Sequence, residues 1–307
     1  MVVKIGSSTL TSKRGTFRLS PVAGLVADIC ELHAQGHRIL LVSSGAVSSG
    51  MGVLRFKRRP TEVVDLQAAA AVGQGRLFHI YTELFAHENV VTAQVLLTAF
   101  DVAARTQYLN ARNTLNRLLD WKVVPIINEN DTTATDELCF GDNDSLAAQV
   151  ALLVKADLMV LLTDTDGLYT ADPREDGTAR LITRVDDPSE LECVRIGAIG
   201  PLGSGGMGTK VNSARIATSG GVETIIARGT RPGVLKEGLE GAEVGPFRCM
   251  ADRVCALAPG GKPLHTALRY GLSQALLDAR ARATGRLRCE VVCEEWGLPV
   301  LRLSLWW

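Results

Sequence analysis

The 307-residue sequence predicts an α/β fold, a mostly parallel sheet covered by helices on both faces. Short β-branched runs alternate along the chain with longer stretches of helical pattern, which is how such sheets are written. Four of those runs give way at once to small and polar residues, and that edge is where open α/β sheets bind ligands. With 46% hydrophobic and 21% charged residues, the composition is that of an ordinary globular protein with enough apolar material for a large core.

The elements follow in order. Val2–Ile5 is the first strand, and the helix of Pro21–Gln35 comes next. Ser20 ahead of Pro21 reads as a cap followed by a first-turn proline, an arrangement that starts helices. Arg38–Val42 is the second strand, and Glu62–Ala86 is a long helix that includes the alanine-rich Gln67–Val72, a strong helix former. Strand Val90–Leu96, helix Gln107–Asp120, strand Val123–Ile127 and helix Ser145–Lys155 continue the alternation. Strand Leu158–Leu162, helix Thr209–Ser219 and strand Glu223–Ala227 complete it, with no internal repeat and no low-complexity linker.

Charge and cysteine usage exclude several function classes. Lys+Arg and Asp+Glu both number 33, so there is no electrostatic footprint for nucleic acid or an anionic membrane. The balance conceals a split: 24 basic and 28 acidic residues lie before Arg248, against nine and five from there on. No run approaches the roughly 18 apolar residues that span a bilayer, and Met1 opens directly onto a strand without a secretory leader, so a cytoplasmic location is expected. The seven cysteines are an odd number. Cys289 and Cys293 have the spacing of half a zinc site but lack a second pair, so reduced, buried thiols and no protein-held metal are the expectation.

Phosphate chemistry has two candidate sites. Lys4-Ile5-Gly6-Ser7-Ser8 places a cation at a strand end, before a residue without Cβ and two hydroxyls. Gly203-Ser204-Gly205-Gly206-Met207-Gly208-Thr209-Lys210 exposes backbone donors ahead of a helix N-terminus, and Lys210 can reach a transferring group. A flexible connector has the same glycine density, and the order is not that of a Walker loop. Between them lie Asn128-Glu129-Asn130-Asp131 and Gly141-Asp142-Asn143-Asp144-Ser145. One residue of the second run serves as an ordinary helix cap; the remainder can grip an ammonium group, orient lysines or hold a metal through its waters.

No histidine belongs convincingly to this set, since His33, His37, His79 and His87 fall on or beside helices, and there is no Gly-x-Ser-x-Gly elbow. A reaction whose nucleophile is already charged needs no general base. A free carboxylate, with a pKa of about 4.3, is such a nucleophile, and phosphoryl transfer to it calls for positioning and positive charge.

These blocks, in this order, resemble the amino-acid kinase family. They are Val2–Ser8, Val42–Val47, Val124–Asp131, Gly141–Leu146, Leu162–Asp164 with Gly167–Tyr169, and Gly205–Lys210, and the likeness runs from Met1 to about Phe247. The Asn-Glu-Asn-Asp and Gly-Asp-Asn-Asp pair points to the branch that phosphorylates the side-chain carboxylate of L-glutamate. The resemblance implies a three-layer αβα sandwich, with glutamate and ATP along the C-terminal edge of the sheet. It implies glutamate binding by Ser44, Asp131 and Asn143, and ATP binding by Lys4, Thr163, Asp164, Ser204, Gly205, Gly206, Met207, Gly208, Thr209 and Lys210. Lys4 and Lys210 would flank the phosphoryl group, with Asp144 holding both in place and Mg2+ arriving with ATP. A homo-oligomer, feedback inhibition by proline near Thr98–Tyr108 and Asp131–Phe140, and a reductase that consumes the glutamyl phosphate are implied in the same way.

Two features depart from the family. Cys139 stands where a basic residue is usual, which bears on affinity and regulation. Residues 248–307 do not resemble the small C-terminal β-barrel of many bacterial members and read as an extension, either a divergent appendage or the product of a reading-frame change. Other classes are less well supported. A catalytically silent sensor would have lost Lys4, Lys210 or Asp144; a dinucleotide oxidoreductase needs Gly-x-Gly-x-x-Gly after the first strand; RNA binding by the basic tail needs aromatic platforms at strand spacing.

Overall fold

A computed structural model of the chain describes residues 1–11, 17–134, 143–185, 206–240 and 246–247, all within one compact unit, Met1–Met250. The readings of Cys139, Ser204, Gly205 and the 248–307 extension fall outside the described residues.

Its centre is a seven-stranded sheet. In chain order the strands are β1 (Val2–Ile5), β2 (Leu40–Ser43), β3 (Thr92–Leu97), β4 (Val124–Glu129), β5 (Leu158–Thr163), β8 (Glu223–Arg228) and β9 (Pro246–Phe247), arranged in space as β3-β4-β2-β1-β5-β8-β9. All pairings from β3 to β8 are parallel, and β9 runs antiparallel to β8 at the edge. A short antiparallel pair, β6 (Leu168–Tyr169) and β7 (Leu181–Ile182), follows β5.

The two-residue period of each strand feeds two cores. Val2, Leu40, Val42, Met159 and Leu161 point to one face, against α6 (Arg105–Asp120), α7 (Asn143–Val154) and α8 (Met207–Ser219). Val3, Ile5, Leu41, Val160 and Leu162 point to the other, against α2 (Leu19–Ala34), α4 (Val63–His87) and α9 (Val234–Leu239). The sandwich therefore has three layers, and every residue of β1, β2 and β5 is buried.

Several boundaries move from where the sequence places them. Helix α2 begins at Leu19 with Arg18 as N-cap and no side-chain cap bond, so Ser20 is not the cap. Pro21 is still in the first turn, where an N–H would have no intrahelical partner. Helix α7 starts at Asn143, not Ser145, and α8 at Met207, not Thr209, which draws residues expected in loops into first helical turns. Short helices α1 (Ser7–Leu10), α3 (Ala46–Val53) and α5 (Ala99–Ala103) are additional. The last is fixed by a capping box between Thr98 and Asp101. Among the described residues, no helix is long and apolar enough to cross a membrane.

Candidate active site

The parallel strands deliver their C-terminal ends to one edge, and the polar residues that follow β1, β2, β4 and β5 are neighbours because the strands are. Register fixes the order: Ile5 pairs with Ser43 on one side and Leu162 on the other, and Val42 pairs with Ile127.

The most buried charges gather on Asp144. Its side chain is fully buried in the first turn of α7. Lys4 Nζ lies 2.5 Å from Oδ1, and Lys210 Nζ donates to Oδ2 at 2.9 Å. Lys4 is 2% exposed and Lys210 8%, from the middle of β1 and the first turn of α8 respectively. Two ammonium groups more than 200 residues apart in sequence thus share one carboxylate. Thr209 Oγ1 accepts from the Gly206 N–H at 3.2 Å and lies 2.9 Å from the Gly206 carbonyl and 3.1 Å from Asp144 Oδ2, one of which takes its proton. A Cβ at Gly6 would meet Lys4 Nζ at 3.7 Å, an ordinary contact, so the space beside the ammonium does not by itself demand glycine.

Gly206 is the N-cap of α8, and Met207, Gly208, Thr209 and Lys210 form its first turn. Backbone N–H groups at this position lack intrahelical acceptors and face the same end as the helix dipole's positive pole, a setting suited to phosphate oxygens.

A second network is centred on Asn143. Its Nδ2 group lies 3.1 Å from the Ser43 carbonyl, 3.1 Å from Ser44 Oγ and 2.7 Å from Asn128 Oδ1. A backbone carbonyl can only accept, so this orientation of the amide follows from its surroundings. Oδ1 then faces away and is buried with no hydrogen-bond partner among the described residues. Asn128 also accepts from the Glu129 N–H at 2.9 Å and donates to Gln74 Oε1 at 2.7 Å. Ser44 is tied to β1 by its N–H, which donates to the Ile5 carbonyl at 3.1 Å.

Asp131 stands apart from that network. Burial, then the neighbouring Glu129 charge, raises its carboxyl to about 6, with Arg59 pulling the other way. Thr163 and Asp164 lie on the other side of β1, at the end of β5. Thr163 is buried and donates to Asp164 Oδ1 at 3.3 Å. The structure therefore brings Lys4, Asp144, Thr209 and Lys210 together and joins Ser44 to Asn143, while Asp131, Thr163 and Asp164 flank them.

Asn128 and Gln74 are contacts that sequence reasoning passed over as functional residues. Asn128 lay inside a quoted block. Gln74 had one available signal, a buried polar residue on the apolar face of a long helix. Elsewhere, His33 and His79 make exposed contacts with the Lys122 carbonyl and Glu83. Cys30 is a buried thiol pushed up to about 11, chiefly by desolvation, which leaves it unreactive.

The family model described as the amino acid kinase family matches residues 1–228. A second, described as the methylaspartate ammonia-lyase N-terminus, matches residues 229–297, under half of the chain and largely beyond the described residues. A curated glutamate 5-kinase of Synechococcus elongatus is 50% identical over 249 residues, 80% of this chain and 68% of that protein. Another from Carboxydothermus hydrogenoformans is 47% identical, covering 80% and 67%. A third, from Clostridium acetobutylicum, is 45% identical over 75% of this chain and 87% of its own. Among solved structures, the UMP kinase from Bacillus anthracis matches with a TM-score of 0.55 at 14% identity, covering 80% of this chain and 94% of that one. An isopentenyl phosphate kinase matches at 0.57 and 17%, covering 80% and 98%. These two share the fold. With a family match over most of its length and relatives at half identity, the chain belongs to the amino acid kinase family, alongside its glutamate 5-kinases.

Proposed function

We propose that this chain is a glutamate 5-kinase, transferring the γ-phosphoryl group of ATP to the side-chain carboxylate of L-glutamate to give L-glutamyl 5-phosphate and ADP, the first step of proline biosynthesis. The observation that carries the reading is the pair of buried lysines on Asp144, in a chain 50% identical to a curated glutamate 5-kinase. A carboxylate oxygen forms the new bond to phosphorus, the bridging O–P bond breaks, and its electrons pass to the β-phosphate of ADP. No proton moves. Catalysis then reduces to alignment and to cations around the oxygens that share the transition-state charge.

In this reading Lys4 and Lys210 flank the transferring group and Asp144 orients both. Ser44, Asn143 and Asp131 take the amino-acid end of glutamate. Thr163, Asp164 and the Ser204–Lys210 segment take the nucleotide. Magnesium enters with ATP as its phosphate counter-ion, because both oxygens of Asp144 already face cations. A coupled ADP-release assay with glutamate, aspartate and acetylglutamate tests the assignment. Turnover with glutamate alone is expected, and equal or greater turnover with acetylglutamate would sink it.

The buried Oδ1 of Asn143, unpartnered among the described residues, is an acceptor suited to an α-ammonium group. Asn143→Ala removes it, so the glutamate KM should rise roughly 10- to 100-fold, the worth of a hydrogen bond to a charged group. The ATP KM should stay within about threefold. Steady-state kinetics in both substrates, with circular dichroism for folding, decides it; equal rises in both constants would count against the assignment.

Asp131 gives a pH signature. With its carboxyl raised to about 6, it is anionic above that pH and neutral below. An ammonium ligand needs the anion, so glutamate affinity should be full at pH 7.5 and fall as pH drops through about 6. Asp131→Asn should remove that dependence and leave weak, pH-independent binding, measured by calorimetry between about pH 5 and 8. A wild-type profile that is flat over this range would show Asp131 is not the ammonium partner.

The same reading carries a cytoplasmic location, a homo-oligomer, proline inhibition through the Thr98–Tyr108 and Asp131–Phe140 segments, and a reductase that takes the labile acyl phosphate. It also places the kinase domain in residues 1–247 and treats residues 248–307 as a separate extension.

A further inference from the structure

At the C-terminal ends of β5 and β8, Arg228 and Asp166 meet in a two-pronged pair. Nε donates to Oδ1 at 2.6 Å and Nη2 to Oδ2 at 3.2 Å. Tyr169, from β6, donates its hydroxyl to the same Oδ2 at 3.3 Å. The pair sits beside the residues assigned to the nucleotide. Arg228 pairs in register with Thr163, the next residue's N–H donates to the Thr163 carbonyl at 2.9 Å, and the Asp164 charge acts on the Arg228 guanidinium.

Stability is a poor account of this convergence. The Arg228 and Asp166 side chains are 41% and 53% exposed, and ion pairs that exposed add little to folding. Fork-to-fork pairing does something else: it holds the guanidinium and carboxylate in one plane, a flat cationic plate that stays partly exposed. Such a plate stacks on aromatic rings. The adjoining turn is held too, since Arg174 grips Asp172 with two bonds of 3.0 Å and has Nη1 3.9 Å from Asp164.

We propose that the face of the Arg228 guanidinium, held flat by Asp166, is the platform on which the base of the nucleotide stacks. Arg228 contacts the base, and Asp166 is a positioning residue that acts through it. The proposal rests on the reading that places ATP at Thr163 and Asp164.

The test is direct binding of magnesium ATP and of inorganic tripolyphosphate by calorimetry, independent of glutamate. Arg228→Lys keeps the charge and loses the plane. It should weaken ATP about fivefold, the scale of one stacking contact at an exposed site, and leave tripolyphosphate unchanged. The preference for ATP over CTP should shrink with it, because a purine overlaps the plate more than a pyrimidine. Asp166→Asn should move ATP affinity in the same direction by less, and the double variant should be no weaker than Arg228→Lys alone. Equal weakening of ATP and tripolyphosphate would make Arg228 a phosphate contact and overturn the platform, as would no weakening of either. A wild-type protein that binds ATP yet phosphorylates no glutamate would overturn the proposed activity while leaving the platform to be judged on affinity alone. No ATP binding by the wild type would overturn both.

Discussion

Lys210→Ala should slow phosphoryl transfer by roughly 10²- to 10³-fold, the usual cost of removing one preorganised electrostatic stabiliser, while glutamate binding stays within about threefold. Lys210 sits at the positive end of α8 and 2.9 Å from Asp144, and the Asn143 network that is assigned to glutamate does not include it. Its charge matters most as the transferring group spreads charge over three equatorial oxygens. The variant leaves Asp144 with Lys4, so the buried carboxylate keeps a partner and the fold should survive. Lys210→Arg separates charge from geometry: a planar guanidinium cannot reproduce a compact ammonium beside Asp144, and only partial recovery is expected. Single-turnover rate and glutamate affinity are measured separately. A normal rate with weakened glutamate binding would assign the lysine to the other substrate.

The parallel sheet was legible because its strands are short β-branched runs, and all six predicted strands are present with ends shifted by about one or two residues. The helices were legible where apolar spacing persists, as over Glu62–Ala86, but not where it does not. Helix α3 reads Ala-Val-Ser-Ser-Gly-Met-Gly-Val, and its two glycines argue against a helix by local propensity. Tertiary packing on α4 overrides that. In the site, Lys4–Ser8 and Asn128–Asp131 announced themselves by position after strands and the glycine-rich block by position ahead of a helix, and the meeting of Lys4, Asp144 and Lys210 follows from topology once α7 and α8 share a face. The roles came with the resemblance. Gln74 was signalled only as a polar residue on the apolar face of a long helix, and the Arg228–Asp166 pair by no local motif, because each contact depends on side chains brought together from distant elements.

Gly73→Ala should destabilise the protein by about 2–3 kcal/mol, whereas Gly75→Ala, two residues along the same helix, should stabilise it by up to about 1 kcal/mol. Helices α3 and α4 touch backbone to backbone. A Cβ on Gly73 would lie 1.8 Å from the Ala46 carbonyl oxygen, and one on Gly50 would lie 1.8 Å from that of Ala69. Ala46 and Gly50 face Ala69 and Gly73, so small residues four apart on each helix form the contact. A backbone oxygen cannot rotate away as a side chain can, and the helices must separate to restore ordinary contact. Alanine's better helix propensity offsets about 1 kcal/mol of that cost, which leaves the clash dominant at Gly73. At Gly75 a Cβ meets nothing within 4 Å, so only the propensity gain remains. The consequence reaches the site, because α3 begins at Ala46, directly after Ser44 and Gly45. Gly73→Ala should therefore also weaken glutamate binding, whereas Gly75→Ala should not. Urea unfolding of the two variants under identical conditions gives the contrast. Shifts of the same sign and size would mean the helices are not in backbone contact, and the placement of α3 would have to be abandoned.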